Sequence, residues 1–476
     1  MKQNLFLVFI SLFLYLVSNA QNPNIKRTWH WYFGDHAGLD FSSGSVFSDT
    51  NSNMFAYEAC AAISDTTGNL LFYTDGDTVW NRNHVVMQNG TGLFGCESST
   101  SGALILPFPG HSSEYYIFTT SCAEDSGRVG LNYSIVDMDQ SVGYGSVIIK
   151  NQFLFGPTTE KLTATYNCDS TGFWLVAHEA FNSTFRAYLL DTNGIIGLPE
   201  ITSIGVPSLA NNIYASLGGS MKFSPNGTRL AYLIPQYPNS FAQLFDFDRG
   251  TGIVSNISTL LPDTTNYGVE FSEDNSKLYI TGGYRTICIH QFDISSNNEI
   301  LINNSKSLVW STSNTSNTIL LGLQLGSDGL IYVARYYKDS IGAILNPNQN
   351  IPICSYIDRY IDLATKICHE TLPAYASSFF RLSNFGCAVG MNELPEEKSS
   401  ISYYISTNHL VFSSDRTRKL DLKLYSMYGS IVKSMNLIIT KEESISIDLS
   451  DLPSGCYIFR ANDFISNIID KIYIVN

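Results

Sequence analysis

His178 and Glu179 stand side by side at the end of an apolar run, Phe173-Trp174-Leu175-Val176. An imidazole next to a carboxylate can carry a proton to and from a substrate, so the pair is a candidate for acid–base chemistry at the end of a strand. The plainer reading is a hydrogen bond to a neighbouring sheet, and that reading is favoured. Asp75-Gly76-Asp77 with Asn81 is a second candidate. Carboxylates two apart on an extended chain face one side and can share a cation. Aspartate and glycine are also the ordinary residues of a hairpin turn, and the turn is favoured. The run Asp246-Phe247-Asp248-Arg249-Gly250-Thr251-Gly252 looks like a calcium loop but lacks the closing glutamate, so it too reads as a turn. Glycosidases need two carboxyls about 5–10 Å apart. Glu58, Glu160, Glu179 and Glu270 are available, but no spacing in the chain pairs them. Trp29, Trp31, Trp80, Trp174 and Trp310, with 28 tyrosines, can stack on sugars or fill a core.

Motifs with a fixed mechanism are missing. There is no Gly-x-Ser-x-Gly, no His-Glu-x-x-His, no Walker loop and no strand-bound Gly-x-Gly-x-x-Gly. The nine cysteines contain no Cys-x-x-Cys and no histidine at zinc-ligand spacing from two of them. The expectation is no catalytic residue, no metal and no cofactor. Cysteines in an exported chain can pair, leaving one over, or stay buried and reduced; connectivity is open, with Cys354 and Cys368 near enough in sequence to pin a loop.

Any such residues must be held by strands. Of 476 residues, 15% are charged, 13% aromatic and 44% hydrophobic, and the net charge is −14. That is too apolar for disorder and too acidic for a phosphate backbone, so nucleic acid is not an expected partner. An alternating strand, a polar turn and a second strand rich in Leu, Tyr and Phe recur along the chain. The clearest copies are Met221-Lys222-Phe223-Ser224-Pro225-Asn226-Gly227, Val269 to Asn275 and Leu323 to Gly329. Asn-Gly and Asp-Gly reverse a strand at low steric cost. Anchors at Ile63, Ile105, Tyr166, Phe223, Phe271 and Leu325 are spaced by 42, 61, 57, 48 and 54 residues. Such periods are the mark of a β-propeller. The fold class is all-β: a propeller of seven blades, six to eight being open, over 21–391, then a small Ig-like β-sandwich. A β-sandwich array and a β-helix are the alternatives.

Lys2, the apolar run Leu5–Val17 and Ser18-Asn19-Ala20 form a signal peptide over 1–20, cut between Ala20 and Gln21. It is short of the ~20 apolar residues of a span, and no later stretch would cross a membrane. Residues 392–400 are a polar linker. Beyond it the strands alternate cleanly, as in sheets with one wet face.

The last segment, 401–476, resembles the type A sorting domain of type IX secretion. The residues that carry the likeness are Leu424-Tyr425-Ser426-Met427-Tyr428-Gly429, then Ile447-Asp448-Leu449-Ser450-Asp451-Leu452-Pro453-Ser454-Gly455-Cys456-Tyr457, then a terminal strand with Lys471. Cys456 inside the Gly-x-Tyr element and a single terminal lysine depart from the pattern. Gly429, Leu452, Gly455, Tyr457 and Lys471 are its landmarks. The resemblance implies recognition by the type IX machinery and delivery to the cell surface or the medium. Trp31-Tyr32-Phe33-Gly34, Glu58-Ala59-Cys60-Ala61-Ala62-Ile63-Ser64-Asp65 and Gly68 to Gly76 resemble WD40-like surface propellers of gliding bacteria, a likeness that implies fold and place but no reaction. The expected function is binding of a protein or a glycan. The alternative is a polysaccharide hydrolase using carboxylates of the propeller channel.

Overall fold

The computed structural model describes residues 22–474, apart from 209–215, 236–239, 262–265, 283–285, 314–317, 382–400, 407, 415–416, 427–429, 442 and 463–466. The signal peptide, its Ala20–Gln21 junction, the linker and Gly429 lie outside these residues. The chain divides into two compact units, Met1–Ala388 and Val389–Asn476.

Among the described residues the first unit holds seven antiparallel sheets, each taken up in sequence order. Two are three-stranded: β1 (His30–Phe33), β2 (Ala37–Asp40) and β3 (Phe47–Ser48), then β4 (Ala61–Ser64), β5 (Leu70–Thr74) and β6 (Val79–Asn81). Five are four-stranded meanders. These are β7 (Ala103–Pro107), β8 (Glu114–Thr119), β9 (Leu131–Asp137) and β10 (Ser146–Phe155); and β11 (Thr158–Tyr166), β12 (Phe173–Glu179), β13 (Thr184–Asp191) and β14 (Gly194–Ser203). The third comprises β15 (Met221–Phe223), β16 (Arg229–Ile234), β17 (Phe241–Phe247) and β18 (Val254–Leu260). The fourth comprises β19 (Asn266–Phe271), β20 (Lys277–Gly282), β21 (Thr286–Asp293) and β22 (Ser307–Ser313); the fifth, β23 (Leu320–Leu325), β24 (Ile331–Arg335), β25 (Ser340–Leu345) and β26 (Ser355–Asp362).

The six sequence anchors all fall on the first strand of a sheet: β4, β7, β11, β15, β19 and β23. The repeated turn works as its residues dictate. Gly227 takes φ +73° and its N–H reaches Ser224 O at 2.8 Å, and Gly329 does the same toward Gly326 O. In the middle copy Asn275 fills that slot at φ 67°, one of the few side chains that tolerates it. Burial falls from the first strands of a sheet to the fourth. β20 and β24 are buried throughout, whereas β22 and β26 alternate between half-buried and exposed. That is where the missing charge went: strands covered on both faces have no place for it.

Neighbouring first strands touch in turn, β4 on β7, β7 on β11, β11 on β15, β15 on β19 and β19 on β23. The C-terminal stretch of the unit closes the circle. Gly322 N donates to Glu370 O at 2.8 Å, Glu370 N to Tyr57 O at 3.0 Å, Ala374 N to Cys60 O at 3.0 Å and Asp35 N to Ile367 O at 2.8 Å. One short segment thus joins the last sheet to the first two. Trp31 fastens the same seam: fully buried, it packs on Phe41, Tyr332 and Tyr375, and its Nε1 donates to Thr28 O at 2.8 Å. Cys96 and Cys122 form a disulfide, and Cys168 is also bridged. Cys60, Cys288, Cys354, Cys368 and Cys456 are in no disulfide, so Cys354 and Cys368 pin no loop.

The second unit is two sheets around one core. A three-stranded sheet has β27 (Ile401–Ser406), β28 (His409–Ser414) and β31 (Ile445–Asp448); a four-stranded sheet has β30 (Ile431–Ile439), β29 (Arg418–Ser426), β32 (Gly455–Asn462) and β33 (Asn467–Ile474). Leu410 and Phe412 from the first meet Leu420, Leu422, Leu424 and Phe459 from the second. Leu452 is buried in that core, Gly455 opens β32, Tyr457 Oη donates to Pro453 O at 2.9 Å, and Lys471 is exposed on β33.

Candidate functional site

The residues at and just ahead of the first strands converge inside the ring. Thr100, before β7, reaches Tyr267 of β19, three sheets further on, with Oγ1 and Oη 3.4 Å apart. Glu160 of β11 accepts from Thr100 N at 3.1 Å, Thr100 Oγ1 at 2.8 Å and Ala123 N at 2.8 Å. Three donors and the neighbouring Lys161 ammonium work against the burial that raises its pKa. Glu58, before β4, is near enough to Glu160, Glu370 and Tyr267 for them to act on its carboxyl. Burial, then the two nearby negative charges, push its pKa well above the carboxylate range. Glu58 Oε2 is buried without a partner within the described protein.

A run of packed aromatic rings lies next to these acids in the chain. Tyr57 precedes Glu58 and His369 precedes Glu370, and their rings lie 5.1 Å apart. Phe55 is 5.0 Å from Tyr57, and Tyr337 is 4.7 Å from His369 and 4.6 Å from Tyr336. Burial, then the charges of Glu370 and Glu58, raises the Tyr336 pKa. Phe55 is 40% exposed and Tyr337 52%, while His369 is 2% exposed and neither of its nitrogens has a partner among the described residues. Burial lowers the His369 pKa, so the ring is neutral at pH 7.

The opposite end of the axis is covered. Tyr166 ends β11, whose start carries Glu160, and its N–H donates to Ser378 Oγ at 3.0 Å. The short 3-10 turn Ser377–Phe380 sits there, with Phe379 against Tyr166 and Phe173. Between the ends, Lys222 Nζ bonds Glu270 Oε2 at 2.6 Å, Leu323 O at 2.6 Å and Gln324 Oε1 at 2.8 Å, tying three sheets together.

The residues singled out from sequence lie elsewhere. His178 is buried within the packing of β12 and β16, its Nδ1 3.4 Å from Tyr232 Oη and its ring beside Phe185. Glu179 is bound to Arg186 at 2.5 Å and to Asn182 at 2.6 Å. Asp75 Oδ1 accepts from Asp77 N at 2.9 Å and Thr78 N at 2.7 Å within the β5–β6 turn, and burial raises its pKa to about 6. Asp248 Oδ1 accepts from Gly250 N at 2.7 Å and Asp246 pairs with Arg229 at 2.9 Å. The Glu160 charge reaches Glu58, and Glu270 is taken up by Lys222. Glu370, Tyr267, Thr100 and the aromatic collar went unnoticed. Their signal was present: Glu58, Thr100, Glu160 and Tyr267 precede the anchors at 63, 105, 166 and 271 by 5, 5, 6 and 4 residues, one phase of the repeat.

His178 carries a stability test instead of a catalytic one. Burial, then the Lys161 charge, lowers its pKa to about 3. An unfolded chain takes up that proton near pH 6.5 and the folded one refuses it until about 3, so stability falls as pH drops through this window. Denaturant melts of His178→Phe should show a shallower acid slope than the wild type between pH 6.5 and 4. Parallel slopes would refute the burial argument.

Residues 404–475 match the family model of the secretion system C-terminal sorting domain. The chain carries a type IX address. That tail sends the protein out by type IX secretion, to the cell surface or the medium, and among the described residues no helix is long and apolar enough to cross a membrane. No curated protein matches the chain. Among solved structures it is similar to a quinonprotein alcohol dehydrogenase-like protein from Bacteroides thetaiotaomicron, at 11% identity over 73% of this chain and 78% of that one, TM-score 0.42. It is similar also to the β-propeller domain of Cps50 from Myceliophteria thermophila, at 11% identity over 78% and 96%, TM-score 0.33. A third is Sqt1 from Chaetomium thermophilum, at 12% identity over 66% and 68%, TM-score 0.35. The first unit of this type IX cargo is a β-propeller; none of these likenesses gives it a reaction.

Proposed function

We propose that this exported propeller is a surface binding protein whose axial mouth takes a glycan. The carrying observation is a packed run of partly exposed aromatic rings, Phe55, Tyr57, Tyr337 and Tyr336, beside the chain positions of the acids Glu58 and Glu370. Sugars are recognised by flat apolar rings under their C–H faces and by fixed acceptors around their hydroxyls, and both are here. The seven sheets count as seven blades on this reading, the stretch around Ile367–His369 completing the first. The tail is an Ig-like sandwich, and 1–20 is a signal peptide removed after Ala20.

Hydrolysis fits less well. A glycosidase needs two carboxyls free to act on the sugar, whereas Glu160 is occupied by three donors, Glu179 by Arg186 and Glu270 by Lys222. A glycan array probed with the full chain should retain a defined set of sugars, and Phe55→Ala with Tyr337→Ala should abolish retention. Equal retention by the double variant, or no retained sugar at all, would overturn the assignment.

A further inference from the structure

The end of the ring that carries Glu160 also holds a cavity away from the axis. Its volume is about 410 Å³, and it is lined by Ser126, Arg128, Phe153, Gly156, Pro157 and Phe181. That is an ordinary size for a small-ligand site, roughly 300–1,000 Å³. One wall is the connection from β8 to β9, another the end of β10 with its link to β11, and the third the turn from β12 to β13. The first wall is built rigidly. Cys122 is bridged to Cys96, and Ala123 N is one of the three donors on Glu160. Gly127 N donates to Cys122 O at 3.1 Å and Thr158 N to Gly127 O at 3.0 Å. The Phe153 ring is 62% exposed, yet its edge rests on glycine backbone. A Cβ at Gly130 would come 2.9 Å from Phe153 Cε2, and one at Gly156 3.5 Å. The ring is thus seated from below and open on the side of the cavity. Phe181 takes φ +68°, an outlier for a bulky residue, and its N–H to Ser208 Oγ at 2.7 Å holds it there. Backbone strain of that kind clusters at ligand sites.

Charge decides what fits. Arg128 is the one charged residue lining the cavity; it is exposed, and its guanidinium has no hydrogen bond or ion pair among the described residues. The acids of the same turn have other partners. Glu124 Oε1 accepts from Ser98 Oγ at 2.9 Å, and Asp125 Oδ1 from Arg128 N at 3.2 Å. We propose that this cavity binds a uronic acid residue of an acidic polysaccharide, its carboxylate on the Arg128 guanidinium and the C–H face of its ring on Phe153. The proposal rests on the glycan reading for the kind of chain bound, and adds a site off the axis. A guanidinium is a planar fork that meets one carboxylate with two parallel hydrogen bonds. Phe153 supplies the flat apolar surface that a sugar ring covers, and the Ser126 hydroxyl donates or accepts beside it. A phosphate dianion would call for a second cation, and the lining holds one. A peptide carboxylate would satisfy Arg128 but carries no ring fixed beside it to cover Phe153. With a net charge of −14 the chain does not draw acids from a distance, so the selectivity must come from contact with Arg128.

Titration calorimetry of the full chain at pH 7 decides, with three sugars: the α-1,4 galacturonic acid tetramer, the same tetramer fully methyl-esterified, and cellotetraose. The ester keeps the rings and the length and removes the charge. The acid form should bind about tenfold or more tightly than the other two, the usual worth of a hydrogen bond to a charged group. Arg128→Gln, at an exposed position, should weaken the acid form by about tenfold or more and leave the ester within about twofold. Arg128→Lys, which keeps the charge without the fork, should fall between, and Phe153→Ala should weaken acid and ester alike. Equal affinity for acid and ester overturns the proposal, as does an unchanged affinity in Arg128→Gln. The axial mouth is read separately with the Phe55→Ala, Tyr337→Ala variant. Sugar binding lost in that variant but unmoved by Arg128→Gln would refute this site and leave the glycan reading standing; if no sugar binds, both fall. A tetra-aspartate peptide serves as a fourth ligand. If it binds in an Arg128-dependent manner while no sugar does, the cavity takes acidic peptides and the uronic acid assignment is overturned.

Discussion

Cells producing the chain without residues 404–475 are expected to hold it in the periplasm, with the surface and medium fractions falling from the bulk of the protein to none detectable. The sorting domain is the part matched to the type IX family, and its described buried residues form a core of their own. The ring closes on Gly322, Tyr57, Cys60 and Asp35 through Ile367–Ala374, so every closing bond lies N-terminal to the deletion. The truncated product should therefore fold and resist protease, and its retention should read as lost addressing rather than misfolding. Cell fractionation with a protease-shaving control checks this. Surface delivery of the truncated chain would refute it. Retention as an insoluble aggregate would show instead that the tail is needed for folding.

The ring was readable from the sequence because its turns are chemical. Ser-Pro-Asn-Gly and Ser-Asp-Gly can hardly do anything but reverse a strand, and the apolar anchors just before them recur at a spacing that four short strands require. The first sheet was harder. β1–β3 carries none of those turns; Gly34 at φ +59° lies against Ile367 O and the backbone of Cys368, a contact with a segment more than 300 residues away. A pairing made by closing a loop that long leaves no mark in a local pattern.

The candidate site shows the same divide more sharply. His178-Glu179 and Asp75-Gly76-Asp77 drew attention because they are adjacent in sequence, and adjacency is a property of turns and strand ends as much as of sites. Asp75 is held by its own turn and Glu179 by Arg186 of the next strand. The acids that do converge, Glu58, Glu160 and Glu370, come from segments 102 and 210 residues apart, and only ring closure brings them together. Glu58 and Glu160 had been noted; Glu370, on the closing segment, had no repeat copy behind it to give its phase.

Lys161→Met is expected to be the most damaging single change away from the mouth, lowering the stability of the propeller by roughly 3–5 kcal/mol, the usual cost of removing one partner from a buried charge network. Lys161 is fully buried on β11, and its ammonium collects the carbonyls of Ser216, Leu217 and Gly218 while lying 5.1 Å from the centre of the Tyr232 ring. Those carbonyls belong to the segment that enters β15, and the next residue, Gly219, donates its N–H to Thr100 Oγ1 at 3.1 Å. Methionine fits the volume but leaves the carbonyls facing no donor and removes the counter-charge beside Glu160. At the entropy of unfolding typical of a domain this size, the melting temperature should drop by about 4–7 °C. The pH dependence separates this account from a simple packing defect. Burial brings the Lys161 pKa down to about 7, against 10.5 in an unfolded chain. Between those values the unfolded state holds a proton that the folded state has released, so the wild type gains stability as pH rises and the methionine variant lacks that gain. The gap between wild type and variant should therefore widen from pH 7 to pH 10. A constant gap would refute the burial of Lys161, and a variant as stable as the wild type would mean that its buried amine is not what holds the segment into β15.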